Sequence, residues 1–269
     1  MTLELKKFDM ASIPDGKVVV FVGKRETGKS FLVRDLLYYK QDIPVGCVIS
    51  GTEGANSFYG KILPNIFIHH KFTDKVVGNY MKRQKKVVKA SQGNSRIDPR
   101  AFFILDDCLY DPSWTKNTDI RSLFMNGRHY KSTFLITMQY SLGIPPSLRT
   151  NIDYIFILRE NIQANRKRLY EQYAGMFQNL EVFNQVMDQC TENFECLVIN
   201  NNSKSNKLED QVFWYKADEH SYFKIGHPTL WKYHQDNYNP NHDDDSDQDD
   251  FDVNKKRRKK GTLINIKKV

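Results

Sequence analysis

The chain has 269 residues, of which 40% are hydrophobic and 27% are charged, so it can bury the core of one large α/β domain with short additions. Its longest apolar runs, such as Val18 to Val22, are far shorter than the roughly 20 residues of a membrane-spanning helix. Residues Met1 to Asp15 mix acids and bases without an apolar core, which argues against a secretion signal. Four cysteines lie in or beside apolar segments, which indicates a reducing compartment and no disulfide framework: Cys47, Cys108, Cys190 and Cys196.

The formal net charge of +8 is unevenly distributed along the chain. Residues 242–269 contain seven Asp against eight Lys and Arg, so this segment carries +1 and the rest of the chain +7. A basic body fits a polyanionic partner such as nucleic acid, although charge alone does not require one. Like-charge blocks of this length do not pack. We therefore predict a folded domain over residues 1–237 and a charged, largely disordered tail over residues 238–269.

Apolar strands and amphipathic helices alternate along the folded part of the chain. Strands are predicted at residues 17–23, 45–50, 65–72, 101–107, 132–140 and 151–160. Helices are predicted at residues 30–40, 163–174 and 178–190, and residues 81–96 indicate a basic helix followed by a mobile loop. A terminal hairpin is predicted from residues 196–200 and 212–217. This alternation favours an α/β fold with a mainly parallel central sheet covered by helices on both faces.

A phosphate-binding pattern connects the first predicted strand to the first helix. Its eight residues match G-x-x-x-x-G-K-[ST]: Gly23, Lys24, Arg25, Glu26, Thr27, Gly28, Lys29 and Ser30. The glycines let backbone N–H groups point inward at phosphate oxygens, and the following helix directs its positive end at the same anion. Lys29 is expected to reach the β- and γ-phosphates of ATP, and the Ser30 hydroxyl to bind Mg²⁺. The alternative is a glycine-rich turn without nucleotide, which the strand–loop–helix context disfavours.

Two acids and an amide follow later strands of the same predicted sheet. Ligands bind at the carboxyl ends of parallel strands, so these side chains should lie beside the phosphate loop. Asp106 is expected to hold Mg²⁺ through water, and Asp107 to orient or deprotonate the attacking water. Gln139 is expected to sense the γ-phosphate and position water. An ordinary polar strand end is the alternative for each.

Three arginines are candidates for a finger that stabilises charge on the γ-phosphate: Arg128, Arg149 and Arg25. Arg128 lies in the segment NGRHYK, between the acidic strand and the strand of Gln139, and would act from a neighbouring subunit. Arg25 lies inside the phosphate loop and would act within its own subunit. Most arginines in proteins are simply solvated, and this is the alternative for each candidate.

Several segments together resemble a known family: GKRETGKS, GTEGANSFY, FFILDDC, NGRHYK, ITMQY and PPSLRTNIDYIF. The resemblance is to the poxvirus-type genome-packaging ATPases of nucleocytoplasmic large DNA viruses, within the FtsK–HerA branch of P-loop ATPases, and it covers about residues 15–235. It implies an ASCE, RecA-like P-loop fold with sheet order 5-1-4-3-2, to which the predicted C-terminal hairpin is an addition. It also implies a ring of five or six subunits in which ATP hydrolysis drives double-stranded DNA into a preformed capsid.

The resemblance also implies residue roles and partners. The phosphate-loop pattern takes the Walker A roles, Asp106 and Asp107 the Walker B roles, Gln139 the sensor role, and Arg128 the role of the trans-acting arginine. The second acid is often Glu in the wider superfamily, so the shorter Asp107 departs from the pattern. Capsid portal or vertex components are implied as partners, and the sequence shows no separate nuclease domain.

Basic side chains that line the channel of a ring motor track DNA phosphates without reading bases. The candidates for this contact are Lys82, Arg83, Lys85, Lys86 and Lys89, with Arg166, Lys167 and Arg168. A solvated helix face is the alternative. We expect the protein in the host cytoplasm, in a virus factory, or in the virion. The basic run Lys255 to Lys260 would give nuclear access, contact DNA non-specifically or simply keep the tail soluble.

Two other functions remain open from the sequence. A P-loop nucleoside or nucleotide kinase would need an arginine-rich lid and a nucleobase pocket, and the sequence shows neither. A non-catalytic, nucleotide-dependent assembly scaffold would use the same phosphate loop. In that case, Lys29→Ala and Asp107→Asn would abolish assembly and nothing else.

Overall fold

The computed structural model describes residues 3–108, 112–140 and 143–238. The predicted charged tail, apart from Tyr238, lies outside the described residues, and so does the basic run Lys255 to Lys260. The chain up to Tyr238 forms one compact unit. Across the three described ranges, no helix is both long and apolar enough to cross a membrane.

The strands of the described residues form one eight-stranded sheet. In chain order they are β1 Val18–Val22, β2 Gly46–Ser50, β3 Ile68–His69, β4 Ala101–Asp106, β5 Ser132–Met138, β6 Tyr154–Ile157, β7 Glu195–Asn200 and β8 Val212–Lys216. Their spatial order is β3-β2-β4-β5-β1-β6-β7-β8. Neighbours from β3 to β6 are parallel, whereas the pairs β6–β7 and β7–β8 are antiparallel. The predicted α/β class, the mainly parallel sheet and the terminal hairpin are confirmed.

The strand order implied by the resemblance holds for five strands and is extended at both edges. When β3 is left out, the run β6-β1-β5-β4-β2 corresponds to the order 5-1-4-3-2. The predicted strand at residues 65–72 is wrong in its extent. Asn65–Phe67 form a 3-10 turn in which the Phe67 N–H donates to the Pro64 carbonyl at 3.0 Å, so β3 pairs with β2 over two residues.

The α-helices of the described residues are α1 Lys29–Tyr38, α2 Glu53–Asn56, α3 Asp74–Gly93, α4 Thr118–Asn126, α5 Pro146–Arg149, α6 Gln163–Tyr173, α7 Leu180–Cys190 and α8 Pro228–Asn237. α1, α6 and α7 lie close to their predicted bounds. α3 begins well before the predicted basic helix, because Thr73 caps its first turn by accepting from the Val76 N–H. Val77, Tyr80 and Met81 then bury one face of the helix.

The parallel strands place the polar residues that follow them along one edge of the sheet. Every residue of β1, β2, β4 and β5 is buried, as expected for strands covered on both faces. β1, β4, β5 and β6 run in the same direction. Their carboxyl ends therefore meet at one edge, which we call the carboxyl edge, and the edge where they begin is the amino edge. The phosphate loop, Asp107 and Gln139 all follow strands at the carboxyl edge.

Gly46 on β2 lies opposite Phe102 on β4, where the aromatic ring fills the space of a side chain. A Cβ at residue 46 would lie 1.9 Å from the Phe102 ring. We expect Gly46→Ala to lower the free energy of unfolding by about 1 to 3 kcal/mol in urea denaturation, because the buried ring must shift. Gly175→Ala is the control, since a Cβ there has no neighbour within 4 Å. Equal stability of the two variants would contradict this packing.

Candidate functional site

The phosphate loop joins the buried end of β1 to the first turn of α1. Gly23 packs closely, since an added Cβ would lie 2.7 Å from Thr27 Oγ1 and 2.8 Å from Leu158 Cβ. Gly28 directly precedes α1 and has a φ of 101°, in the left-handed region that favours glycine. Close packing therefore requires glycine at Gly23. The left-handed backbone favours glycine at Gly28. Together they hold the loop at the positive end of the helix.

Lys29 is buried at the first position of α1, with its ammonium group inside the loop. Its Nζ donates hydrogen bonds to the carbonyl oxygens of Gly23 at 2.7 Å and Lys24 at 2.8 Å. Burial lowers the pKa of Lys29, while the nearby carboxylates of Asp107 and Asp106 act in the opposite direction. A phosphate group in the loop would favour the charged lysine in the same way as these carboxylates.

Glu160 is a site residue that motif spacing does not reveal. It follows β6 at the carboxyl edge, and its buried carboxylate pairs with Lys24 Nζ at 2.6 Å. It also accepts hydrogen bonds from the Ile162 N–H at 2.8 Å and from Asn165 Nδ2 at 3.1 Å. Burial would raise the pKa of Glu160, but these partners outweigh burial and hold the pKa below its usual value. The ion pair therefore ties the phosphate loop to the end of β6.

Asp106 ends β4 and lies buried between two hydroxyl groups. Thr137 Oγ1 donates to its Oδ1 at 2.6 Å, and Ser50 Oγ donates to its Oδ2 at 2.9 Å. Burial raises the pKa of Asp106, and the charge of Asp107 raises it further, against the effect of the two hydrogen bonds. A bound cation would favour the charged carboxylate. Ser50 and Thr137 were not predicted as site residues from the sequence. The feature that could have revealed them is a polar residue within an otherwise apolar strand.

Asp107, the predicted base, is in direct contact with Gln139, the predicted sensor. Its φ of 49° lies in the left-handed region, and its N–H donates to Thr137 Oγ1 at 2.9 Å. Gln139 Nε2 donates to Asp107 Oδ2 at 3.0 Å. The other carboxylate oxygen, Oδ1, is buried and has no hydrogen-bond partner among the described residues. Buried polar atoms are rarely unpaired, and left-handed backbone at non-glycine residues is concentrated at functional sites, so this oxygen suits a substrate water.

The oxygen donors at this edge fit a magnesium ion. Mg²⁺ keeps several waters and takes one or two protein oxygens, so it needs no dense ligand cluster. Indeed, the described residues contain no group of three or more His, Cys, Asp or Glu side chains that could hold a metal. Ser30, in the first turn of α1, and Asp106 would hold the ion. When bound, the ion would offset the negative charge of the phosphates.

The segment GTEGANSFY places a buried phenol beside Asp106. Glu53 fixes this segment by accepting hydrogen bonds from the backbone N–H groups of Tyr59 at 2.9 Å and Gly60 at 2.7 Å. Tyr59 is 1% exposed. Burial, with the charges of Asp106 and Glu53, raises the pKa of Tyr59 well above its usual value. The phenol therefore keeps its proton next to the acids of the site.

The three candidate arginine fingers lie in different places. Arg128 precedes β5 at the amino edge, so the length of β5, about 20 Å, separates it from Gln139. It does not reach the phosphate loop of its own subunit. Arg149 stacks on the ring of Tyr173, with 5.9 Å between its Cζ atom and the ring centroid. Arg25 is exposed on the phosphate loop, as expected from its place in the motif.

The lysines of α3 form an exposed face opposite the buried face of the helix. The residues of this lysine face are Lys82, Lys85, Lys86 and Lys89. Lys85 Nζ lies 5.7 Å from the ring centroid of Tyr130, so this face adjoins the NGRHYK turn at the amino edge. Arg83 differs from these lysines, because it is half-buried and donates to Gln84 Oε1 at 2.8 Å.

The basic cluster of α6 does not form a comparable face. Arg166 is 6% exposed, donates to the Glu160 carbonyl at 2.6 Å and pairs with Asp188 at 2.7 Å. The prediction that Arg166 contacts DNA is therefore wrong, because the helix turns this side chain inward onto the residue that anchors the phosphate loop. Lys167 is exposed, and Arg168 donates to Tyr140 Oη at 2.5 Å.

Proteins of several viruses are similar to this chain over most of its length. Protein L437 of Acanthamoeba polyphaga mimivirus is 40% identical over 243 residues, which cover 88% of this chain and 85% of that protein. Protein 075L of Invertebrate iridescent virus 6 is 38% identical over 206 residues, which cover 76% of this chain and 78% of that protein. The chain belongs to the same family as these proteins of mimivirus and iridescent virus. No protein-family model matches it.

Solved structures share the fold of this chain. The genome packaging NTPase B204 of Sulfolobus turreted icosahedral virus 2, in complex with AMPPCP, has a TM-score of 0.54 at 15% identity, covering 76% of this chain and 99% of that one. B204 of Sulfolobus turreted icosahedral virus, described as a DNA-packaging ATPase, has a TM-score of 0.55 at 14% identity, covering 77% and 100%. At such identities, the likeness supports the α/β P-loop fold alone.

Glu160→Gln tests the ion pair that anchors the phosphate loop. We expect this variant to lose about 1 kcal/mol of unfolding free energy at pH 7, since solvent at the partly exposed Lys24 screens the pair. The pKa of Glu160 is held below its usual value of 4.5, so the stabilisation is present above that value. It is lost as the pH falls through the lowered pKa of the folded state. The difference between wild type and variant should therefore shrink from about pH 5 towards about pH 3 in urea denaturation.

The control for this measurement is Glu209→Gln, because Glu209 is an exposed glutamate. Its stability should follow the wild type at every pH. A Glu160→Gln difference that grows as the solution becomes acidic would contradict the ion pair.

Proposed function

We propose that the protein hydrolyses ATP in a ring of identical subunits and uses the reaction to move double-stranded viral DNA into a preformed capsid. The proposal of ATP hydrolysis rests on one observation. Asp107 has one carboxylate oxygen bound to Gln139 and the other buried and unpaired among the described residues, beside the phosphate loop. The fold shared with B204, which is described as a DNA-packaging ATPase, supports the packaging role.

The proposed reaction is in-line attack of water on the γ-phosphorus. Asp107 and Gln139 hold the water, a new P–O bond forms, and the bond from phosphorus to the β–γ bridging oxygen breaks. ADP carries away the electron pair of the broken bond, and Asp107 takes the proton of the water. Lys29 exchanges its loop carbonyls for phosphate oxygens. A nucleotide kinase must exclude water, so a carboxylate–amide pair that holds water favours hydrolysis over phosphate transfer to a second substrate.

The position of Arg128 supports the ring. This side chain is exposed at the amino edge, away from the phosphate loop of its own subunit. If the amino edge of one subunit faces the carboxyl edge of the next, Arg128 can stabilise charge on the neighbour's γ-phosphate. Head-to-tail contacts of this kind form a ring when the rotation between neighbouring subunits closes. A ring of five or six subunits is proposed on the family resemblance.

The lysine face of α3 supports the DNA contact. Its four exposed ammonium groups lie on one side of the helix, where they can follow the phosphates of a duplex without reading its sequence. Capsid portal or vertex components are the proposed docking partners. The proposed location is the virus factory in the host cytoplasm or the virion, and nuclear access would depend on the basic run Lys255 to Lys260.

Mixing two inactive variants tests the shared active site. Lys29→Ala removes the phosphate-loop lysine, and Arg128→Ala should lower the ATPase rate by about a thousandfold through the neighbouring site. In a random one-to-one mixture, about a quarter of the interfaces pair an intact phosphate loop with an intact Arg128. We therefore expect the mixture to recover about a quarter of the wild-type ATPase rate, measured by phosphate release.

A mixture of Lys29→Ala and Asp107→Asn is the matched control. Both residues act in the same subunit, so no site in this mixture is complete and no activity should return. Full activity of Lys29→Ala or Asp107→Asn alone would refute the proposed site. Full activity of Arg128→Ala would refute the trans role of that arginine, and absence of ATPase activity in the wild type would refute hydrolysis itself.

Replacing the lysine face of α3 by alanine tests the DNA contact. Removing four phosphate contacts should weaken duplex binding and lower the slope of log affinity against log salt concentration by about 3 to 4. The loss should be equal for duplexes of unrelated sequence. Fluorescence anisotropy over a salt series measures both quantities.

The charge-matched control replaces four exposed lysines elsewhere: Lys204, Lys207, Lys216 and Lys232. This variant has the same net charge as the α3 variant. An equal loss of DNA affinity in the two variants would show that general charge, and not the α3 face, binds DNA.

A further inference from the structure

A cleft with a volume of about 460 Å³ lies beside the phosphate loop. The loop itself, residues 24–27, forms one wall. The other wall is formed by Arg159 and Asn161, which follow β6, and by Thr191, Asn193 and Phe194, which lie between α7 and β7. A volume of this size is typical of sites for small molecules. The reaction at the carboxyl edge uses none of the five residues on this second wall.

Phe194 is unusually exposed for a large aromatic residue. Its side chain is 65% exposed, although it is followed at once by the largely buried strand β7. Both Phe194 and Asn193 have a left-handed backbone, with φ values of 65° and 51°. Consecutive left-handed residues without glycine are strained, and such strain persists where the surrounding structure requires the geometry. The backbone here therefore holds an aromatic ring out of the core and at the cleft.

The ring of Phe194 lies directly beside the phosphate loop. A Cβ added at Gly28 would meet the Phe194 Cδ1 atom at 3.6 Å. Gly28 is the last residue before α1, where the loop N–H groups converge. The aromatic ring is therefore within the reach of one nucleotide from the bound phosphates.

The polar groups of the cleft suit the edge of a nucleobase. Arg159 Nε donates to Asn161 Oδ1 at 3.1 Å, which fixes the guanidinium relative to the amide. Asn193 is exposed and offers a donor and an acceptor on one amide. An aromatic face with nearby amide and guanidinium groups is the combination that proteins use to stack and pair bases.

We propose that this cleft binds the purine base of the nucleotide whose phosphates occupy the loop, with the base stacked on Phe194. The assignment rests on the proposed function, because it takes the phosphate loop as a nucleotide site. It adds the residues that recognise the base. A purine offers a larger face to the ring than a pyrimidine, so purine nucleotides bind more tightly.

Equilibrium binding to the full chain tests the assignment without requiring hydrolysis. Calorimetry would compare ADP, CDP and inorganic tripolyphosphate, each with Mg²⁺, on wild type and Phe194→Ala. We expect ADP affinity to fall by about tenfold or more, the loss typical of one base–aromatic stack, and tripolyphosphate affinity to stay unchanged. The preference of the wild type for ADP over CDP should largely disappear in the variant.

Two further variants separate stacking from general effects. Phe194→Tyr keeps an aromatic face and should retain the ADP affinity of the wild type. Tyr222→Ala removes an aromatic that is also 65% exposed but lies outside the cleft, and it should change nothing. An equal loss of ADP and tripolyphosphate affinity in Phe194→Ala would show that the ring shapes the phosphate loop, and would overturn the proposal.

Unchanged ADP affinity in Phe194→Ala would also overturn the proposal. A simultaneous loss of oligomer in sedimentation would then assign the ring to a subunit contact. Failure of the base site remains distinct from failure of the proposed function. If the wild type binds ADP through Phe194 but does not hydrolyse ATP, the base site stands and the motor does not. If the wild type hydrolyses ATP and the Phe194→Ala variant binds ADP equally well, the proposed motor stands and the base site does not.

Discussion

The register of three neighbouring parallel strands is the constraint on which the site depends. Ser50 on β2 lies opposite Asp106 on β4, and Asp106 lies opposite Thr137 on β5. Opposite residues of a sheet point to the same face, so the register brings two hydroxyl groups to one buried carboxylate. A slip of one residue would turn these side chains to the other face and leave the acid buried without donors. Thr137 Oγ1 also accepts from the Asp107 N–H, so the same register sets the turn that holds Asp107 against Gln139.

Burial at the carboxyl edge works against the charges that the site contains. It lowers the pKa of Lys29 and raises the pKa of Asp106, so both groups are less stable in their charged forms than in water. A polyphosphate with its cation would favour the charged form of each. The fold thus leaves an electrostatic demand that a charged ligand satisfies. The ion pair of Lys24 with Glu160 is different in kind, because its two charges already satisfy each other and hold the loop in place.

The parallel sheet also places two groups of functional residues at its opposite edges. The carboxyl edge holds the phosphate loop, the two acids and Gln139, and the amino edge holds the NGRHYK turn. α3 brings its lysine face to that turn through the contact of Lys85 with Tyr130. β5 connects the two edges directly, with Gln139 after one end and Arg128 before the other. A fully buried and therefore rigid strand links the site of one subunit to the surface that we propose meets the next.

The sequence by itself determined the main strands, the phosphate loop, the two acids and the strand-end glutamine. These follow from local patterns, since apolar runs, glycine spacing and the polar residue after a strand need no distant partner. Tertiary structure decided the rest. The hydroxyls that bind Asp106 come from residues 56 and 31 positions away, and Glu160 meets Lys24 because β6 pairs with β1. Packing also turned Arg166 inward and set Arg128 at the far edge. Strand order and register create these neighbours, and both arise from the summed burial of many residues across the whole chain, so no short segment encodes them.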